Sequence, residues 1–234
     1  MALPLPRWQS HDERDGRRVS IHTCVVTHNR LAYTQRCVTS LLRTQRPGDS
    51  LVVVDNASGD GTVEWLTSVG VRVIRNAENR YPGAACNQGW HGATATYLHR
   101  SDNDIEYHDG WADEVERAFA DWPDLALLGI LNLHEDHGDP PPDAHGIVPV
   151  PRVGGNVVMP VYLFLDGLRW WEGDWAPGQD EDGPMSWSAK RHGMVAHLAR
   201  TVADNMAFGR YDDYPDYYDR TAAARGFANA RGTV

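Results

Sequence analysis

The sequence is 234 residues long, enough for one domain with a substantial core. Acidic residues outnumber basic ones 32 to 22, the formal net charge is −10, and Lys190 is the single lysine. Such a surface repels nucleic acid and anionic membrane, which disfavours a non-specific polyanion binder and leaves any phosphorylated ligand in need of a local positive charge.

Residues 1–18 are polar, charged and proline-containing, without an apolar signal core, and read as a loose arm. Residues 19–27 are β-branched and apolar, a predicted strand that ends in His28-Asn29-Arg30. Cys37, Val38, Leu41 and Leu42 then form a helical stripe that stops at Pro47-Gly48. Leu51, Val52, Val53 and Val54 make a short continuous apolar run, as in a strand buried on both faces, and it stops at Asp55. Turn residues 56–61 follow, with Asp60 as a candidate cap for a helix carrying Val63 and Leu66. A third strand is predicted at 71–74, a helix at 83–90 and a fourth strand at 95–98. Trp111, Val115, Ala118 and Phe119 mark an amphipathic helix ended by Trp122-Pro123. Residues 125–131 read as a strand and 134–151 as a loop. A short strand near 156–159, a Trp-rich loop at 170–175, an acidic run at 180–182 and a helix carrying Met185 and Ala189, closed by Gly193, complete the pattern. No apolar run approaches bilayer-spanning length. Cys24, Cys37 and Cys86 lack metal-ligand spacing and suit buried thiols in a reducing cytoplasm.

Strands alternating with helices at this spacing predict an α/β fold, a mostly parallel sheet flanked by helices. In such sheets ligands bind beyond the carboxyl ends of the strands. That directs attention to Thr27-His28-Asn29, Asp55-Asn56 and Asp102-Asn103-Asp104. The carboxylates Asp102 and Asp104, two apart after a strand, are hard oxygen ligands for Mg²⁺ or Mn²⁺, or else a polar turn. Asp55 is placed to accept from a base imide or a ribose hydroxyl, or to cap its own turn. Glu181-Asp182 offers a general base, or negative charge at a helix start. Trp170, Trp171 and Trp175 offer stacking surfaces for a sugar, or core packing. Zinc motifs, phosphate-binding Gly-rich loops after the first strand and a nucleophile elbow are absent from the sequence.

Taken in order, these pieces resemble the GT-A-fold glycosyltransferases grouped as family 2. Val25-Val26-Thr27-His28-Asn29-Arg30 is similar to that family's opening motif, and the stretch from Val52 to Thr62 to its second-strand motif. Asp102-Asn103-Asp104 falls at the family's Asp-x-Asp, followed in order by Gly154-Gly155-Asn156 and Glu181-Asp182. The resemblance implies a GT-A-like sheet with a Rossmann-like N-terminal half. It implies one catalytic domain at 19–203, with a nucleotide-sugar half at 19–122 and an acceptor half at 123–203. Residues 204–234 would then be a tail, acting as a lid or an oligomer contact. The implied donor is a UDP- or GDP-linked sugar, the cofactor Mg²⁺ or Mn²⁺, and the acceptor a hydroxyl of a small molecule or glycan. A cytoplasmic setting, in secondary-metabolite or cell-surface glycan biosynthesis, goes with it.

By the same resemblance, Thr27 and Asn29 line the nucleotide pocket and Asp55 reads the base. Asn79, Arg80, Gly83 and Asn87 pass the donor sugar and phosphates. Asp102 contacts ribose or a metal-bound water, and Asp104 ligates the metal. Asp182 is the base that deprotonates the acceptor, with Asp180 as the fallback. Gly155, Asn156, Trp170 and Trp171 line the acceptor side. The sequence departs from the family where a histidine usually completes the metal shell: it reads Val202-Ala203-Asp204-Asn205, so Asp204 or His197 becomes the candidate third ligand. Gly183-Pro184 also interrupts the usual helix start, although proline is tolerated in a first turn. A sugar-1-phosphate nucleotidyltransferase and a non-catalytic nucleotide- or sugar-binding protein of the same fold are the rival classes.

Overall fold

The computed structural model describes residues 19–131, 142–172, 181–207, 210 and 213–215. In chain order the elements are β1 (Ile21–Thr27), α1 (Leu31–Thr44), β2 (Ser50–Asp55), α2 (Thr62–Ser68), β3 (Arg72–Arg75) and α3 (Tyr81–Trp90). Then come β4 (Tyr97–Asp102), β5 (Ile105–Tyr107), α4 (Trp111–Asp121), β6 (Leu125–Gly129), β7 (Ile147–Pro149) and β8 (Val157–Pro160). The chain continues with α5 (Val161–Leu165), α6 (Asp182–Ala189), β9 (Met194–Leu198) and β10 (Ala203–Asn205).

One eight-stranded sheet runs in the order β3-β2-β1-β4-β8-β6-β9-β7, and β10 pairs with β5 in a separate antiparallel ribbon. β3, β2, β1 and β4 are mutually parallel, as the Rossmann-like half requires. β8 runs against both β4 and β6, and β7 runs against β9. Alternate residues of the central strands feed two cores. Ile21, Val25 and Val53 face Val38, Leu41, Leu66 and Val115, whereas Cys24, Val26, Val52 and Val54 face Trp90, Leu163, Trp170 and Met185. The sheet is therefore covered on both sides, which accounts for the uninterrupted apolar runs of β1 and β2.

Helix α3 lies against β1 through Gly89. A Cβ there would stand 2.3 Å from Cys24 Sγ, so only glycine allows this approach. Leu42 differs from the expected stripe, being exposed while Cys37, Val38 and Leu41 are buried. The stretch expected to be a loop at 134–151 contains β7, an edge strand short enough to escape a periodicity argument. β10 straddles the point where the sequence reading ended the domain. Its ladder with β5, Asp204 opposite Glu106, ties it to the segment just after the Asp-x-Asp turn. Residues 213 and 214 rest on α1: Tyr33 Oη donates to Asp213 Oδ2 at 2.5 Å, and the Tyr33 and Tyr214 rings lie 5.4 Å apart.

Candidate active site

The sheet order reverses between β1 and β4, which opens a crevice beyond their carboxyl ends. Thr27 pairs with Asp55 across β1 and β2, and Val26 pairs with Asp102 across β1 and β4. Asp55 and Asp102 are thus two strand spacings apart, roughly 10 Å. Asp55 is fully buried; its Oδ2 accepts from the Ser58 N–H at 3.0 Å, while its Oδ1 has no hydrogen-bond partner. A buried carboxylate oxygen left open at a strand end is an acceptor waiting for a donor group.

Short polar contacts hold the loops around this crevice. Asn56 Oδ1 accepts from Asn76 Nδ2 at 2.9 Å and from the Arg80 N–H at 3.3 Å, and Asn56 Nδ2 donates to the Tyr81 carbonyl at 3.3 Å. Asn29 Oδ1 accepts from the Gly59 N–H at 2.9 Å. Asn79 Oδ1 accepts from the Tyr81 N–H at 2.9 Å, which shapes the entry to α3. Asp60 does more than the expected capping: its two oxygens take the N–H groups of Leu31 at 2.9 Å and Thr62 at 3.2 Å, the first residues of α1 and α2. Asn29, Arg30, Ala57 and Tyr81, with φ of 56° to 62°, are the non-glycine residues in the left-handed region among those described, and all four flank this crevice. Such conformations cost of order 1–3 kcal/mol each and persist where the surroundings fix them, often at sites.

The Asp-x-Asp turn is anchored by its middle residue. Asn103 Nδ2 lies within hydrogen-bond distance of Thr34 Oγ1 (2.9 Å), the Asn29 carbonyl (3.0 Å) and Thr27 Oγ1 (3.1 Å). The Thr27 hydroxyl is accordingly turned inward and used in this network. Asp102 is held by Asn156, whose Oδ1 accepts its N–H at 2.7 Å and whose Nδ2 donates to its Oδ2 at 3.2 Å. Asp104 Oδ2 accepts from Arg30 Nη1 at 2.9 Å; burial pushes the Asp104 carboxyl above the usual range and Arg30 opposes that rise.

Arg100, on β4, joins this turn to the other wall. Its Nη2 reaches Asp102 Oδ1 at 3.4 Å and donates to Glu181, and its guanidinium lies 4.1 Å from the Trp170 ring centroid. Gly155 makes room for it, since a Cβ there would meet Arg100 Nη2 at 2.8 Å. Glu181 immediately precedes α6, so the pair fixes the helix whose first residue is Asp182. Pro184 sits in the first turn of α6, where its missing N–H costs no helical bond. Burial pushes the Asp182 carboxyl up to about 7; Arg100 and Arg152 oppose this, and Glu181 and Asp102 add to it. Arg152 Nη2 is 3.7 Å from Asp182 Oδ2. On the same wall Asn87 clasps Trp170, its Nδ2 donating to the Trp170 carbonyl at 2.9 Å and its Oδ1 accepting the Trp170 N–H at 3.1 Å. Gly83 packs so tightly that a Cβ would be 2.6 Å from the Trp171 carbonyl.

Some expected partners stand elsewhere. Trp170 is buried beneath Arg100 and has no face for a sugar, whereas Trp171 is 56% exposed. The Asp204 carboxylate is paired with His108 Nε2 at 2.8 Å on the β5–β10 ribbon. His197 is buried on β9, with β8 and β6 between it and β4. Among the described residues no group of three or more His, Cys, Asp or Glu is placed to hold a metal. Asp180 and Trp175 lie outside the described residues. The motif reading gave no role to Arg30 or Arg100. Arg100 lies beyond the strand predicted at 95–98, because β4 extends to Asp102 through the polar residues His99, Arg100 and Ser101.

The family model of glycosyl transferase family 2 matches residues 23–149. The chain belongs to this family. That span runs from within β1 to the end of β7 and includes Asp55, Asp102 and Asp104. Among solved structures, the S. aureus TarS fragment 1–349 is 15% identical, with 88% of this chain and 65% of that one covered and a TM-score of 0.65. A mannosyltransferase from Pyrobaculum calidifontis, solved with GDP-Man and Mn²⁺, is 17% identical over 86% of this chain and 60% of that one, with a TM-score of 0.66. GalNAc-T7, solved with UDP, GalNAc and Mn²⁺, is 14% identical over 77% of this chain and 42% of that one, with a TM-score of 0.63. These likenesses show a GT-A fold, and the chain spans less than two thirds of each structure's length. No curated protein sequence matches it.

Proposed function

We propose that the chain transfers a sugar, with inversion, from a UDP- or GDP-linked donor to a hydroxyl of a small-molecule or glycan acceptor. One observation carries this reading: Asp55 is buried with its Oδ1 unpartnered at the end of β2, two strand spacings from Asp102 of the Asp-x-Asp turn. A base with an N–H would satisfy Asp55, which leaves the diphosphate over Asp102 and Asp104. The solved structural neighbours with GDP-Man and Mn²⁺ and with UDP, GalNAc and Mn²⁺ support the donor class. The three free, buried cysteines are in keeping with a cytoplasmic setting, and no helix among the described residues is long and apolar enough to cross a membrane.

Asp102 and Asp104 suit Mg²⁺ or Mn²⁺ as a partial shell of hard oxygens. With no third cluster member among the described residues, the donor's phosphates and water would complete it. When bound, such an ion neutralises charge developing on the leaving diphosphate. Asn156 fixes the Asp102 carboxylate, and Asn103 fixes the turn. Asp182, at the start of α6, is the base that takes the acceptor's proton during a single displacement. The exposed ring of Trp171 is the stacking surface on the acceptor side.

Incubation with UDP- and GDP-sugars and Mn²⁺, with and without candidate acceptors, tests the class. Release of free nucleoside diphosphate is the expected result. Pyrophosphate as the product would show a nucleotidyltransferase instead, and no turnover or donor hydrolysis with any pair would favour a non-catalytic binder.

A further inference from the structure

Asp104, the carboxylate given to the metal, already holds a cation from its own chain. Arg30 Nη1 lies 2.9 Å from Asp104 Oδ2, and Nη2 of the same guanidinium donates to Asn103 Oδ1. The two side chains of the pair are only 6% and 13% exposed, unlike a surface ion pair. The backbone delivers Arg30 to this place. It is the N-cap residue of α1 in a left-handed conformation, and its carbonyl accepts the N–H groups of Tyr33 at 3.0 Å and Thr34 at 3.1 Å. The Tyr33 ring centroid is 5.9 Å from the guanidinium carbon. A guanidinium held so firmly cannot drift away when a second cation arrives. Like charges that close, in a site largely shut off from water, repel far more than they would in bulk solvent.

We propose that Arg30 competes with the divalent ion for Asp104, so that the chain takes up Mg²⁺ or Mn²⁺ tightly only together with the donor's diphosphate. This rests on the donor reading given under Proposed function. The diphosphate brings ligands for the ion and negative charge that offsets the guanidinium, so ion and nucleotide each strengthen the other's binding by the same factor. Arg30 is on this account a positioning residue that sets the order of assembly. It would also let an Asp-x-Asp turn with no third ligand among the described residues distinguish the empty from the donor-loaded site.

The test is Mn²⁺ binding by electron paramagnetic resonance of the free ion, on the full chain, with and without UDP or GDP. Wild type should bind Mn²⁺ weakly alone and tightly with the matching nucleotide. Arg30→Gln should bind Mn²⁺ alone roughly tenfold more tightly than wild type, with a correspondingly smaller gain from nucleotide. Arg30→Lys keeps the charge but cannot bridge Asn103 and Asp104 in the same way, and should fall between the two. Adding Asp104→Asn to Arg30→Gln should remove the gain, which places it at this carboxylate. An Arg30→Gln protein with a wild-type circular dichroism spectrum and unchanged or weaker Mn²⁺ affinity overturns the proposal. Should Arg30→Gln fail to fold, Arg30→Lys decides: tighter binding than wild type supports competition, and equal or weaker binding overturns it. If wild type binds nucleotide yet never Mn²⁺, the metal reading itself fails and this proposal with it. If wild type binds both and the Arg30 variants match it, only the competition is wrong.

Discussion

In the proposed transfer, Asp182 is the residue on which the chemistry turns. Its carboxyl is raised to about 7 by burial at the start of α6. A base works in its deprotonated form, so transfer should rise about tenfold per pH unit below 7 and level off above it. Asp182→Asn should leave nucleotide affinity within a few fold of wild type and lower transfer roughly 10²- to 10⁴-fold. Pre-steady-state transfer rates beside calorimetric donor affinities separate the two effects; an active Asp182→Asn protein would remove Asp182 from the role. At this scale the motifs are legible where a residue's role follows from its place in a strand–turn unit. Asp55 and Asp102 end strands on either side of β1, Asn156 holds Asp102, and Asp182 stands within reach of the charges of Arg100 and Asp102. What the motifs omit is the charge that balances them. Arg30, at the N-cap of α1, and Arg100, within β4, lie far in sequence from Asp104 and Glu181 respectively, and only the folded sheet sets each pair together. The sequence leaves Trp170 open between a stacking surface and core packing, and the fold makes it core, in an environment built by α3 and by Arg100 on β4.

At the scale of elements, β4 carries both the site and an unusual interior. His99 is fully buried between Thr23 Oγ1 at 3.1 Å and Tyr107 Oη at 3.2 Å, and burial pushes its pKa down to about 3. A histidine kept neutral by the fold contributes stability that is fully present above its unfolded pKa of about 6.5 and lost as pH falls toward 3. It should therefore cost about 2 kcal/mol between pH 6.5 and pH 5. His99→Gln, which cannot take up a proton, should show a shallower loss of urea-unfolding free energy over that interval than wild type. Equal slopes would mean that His99 is protonated in the fold. Long elements were legible from periodicity: β1, α1, β2, α4 and α6 follow their apolar patterns. The three-residue strands β5, β7 and β10 were not, because three residues hold no measurable period and exist only through their ladders.

For the whole molecule, the opening question was how a chain with net charge −10 receives a phosphorylated ligand. The described site answers with a local arrangement instead of a basic surface: Arg30, Arg100 and Arg152 stand among Asp102, Asp104, Glu181 and Asp182, with carboxylates in excess. On the proposed function, that excess is what a divalent ion would fill, and donor capture would then depend on metal. Thermal unfolding of the full chain with UDP or GDP, in Mn²⁺ and in excess chelator, tests this most directly, because a ligand that binds the native state raises its melting temperature. The account predicts a rise with one nucleoside diphosphate in Mn²⁺ that disappears in chelator and in Asp104→Ala. No shift with either nucleotide, or the same shift with and without metal, would contradict it.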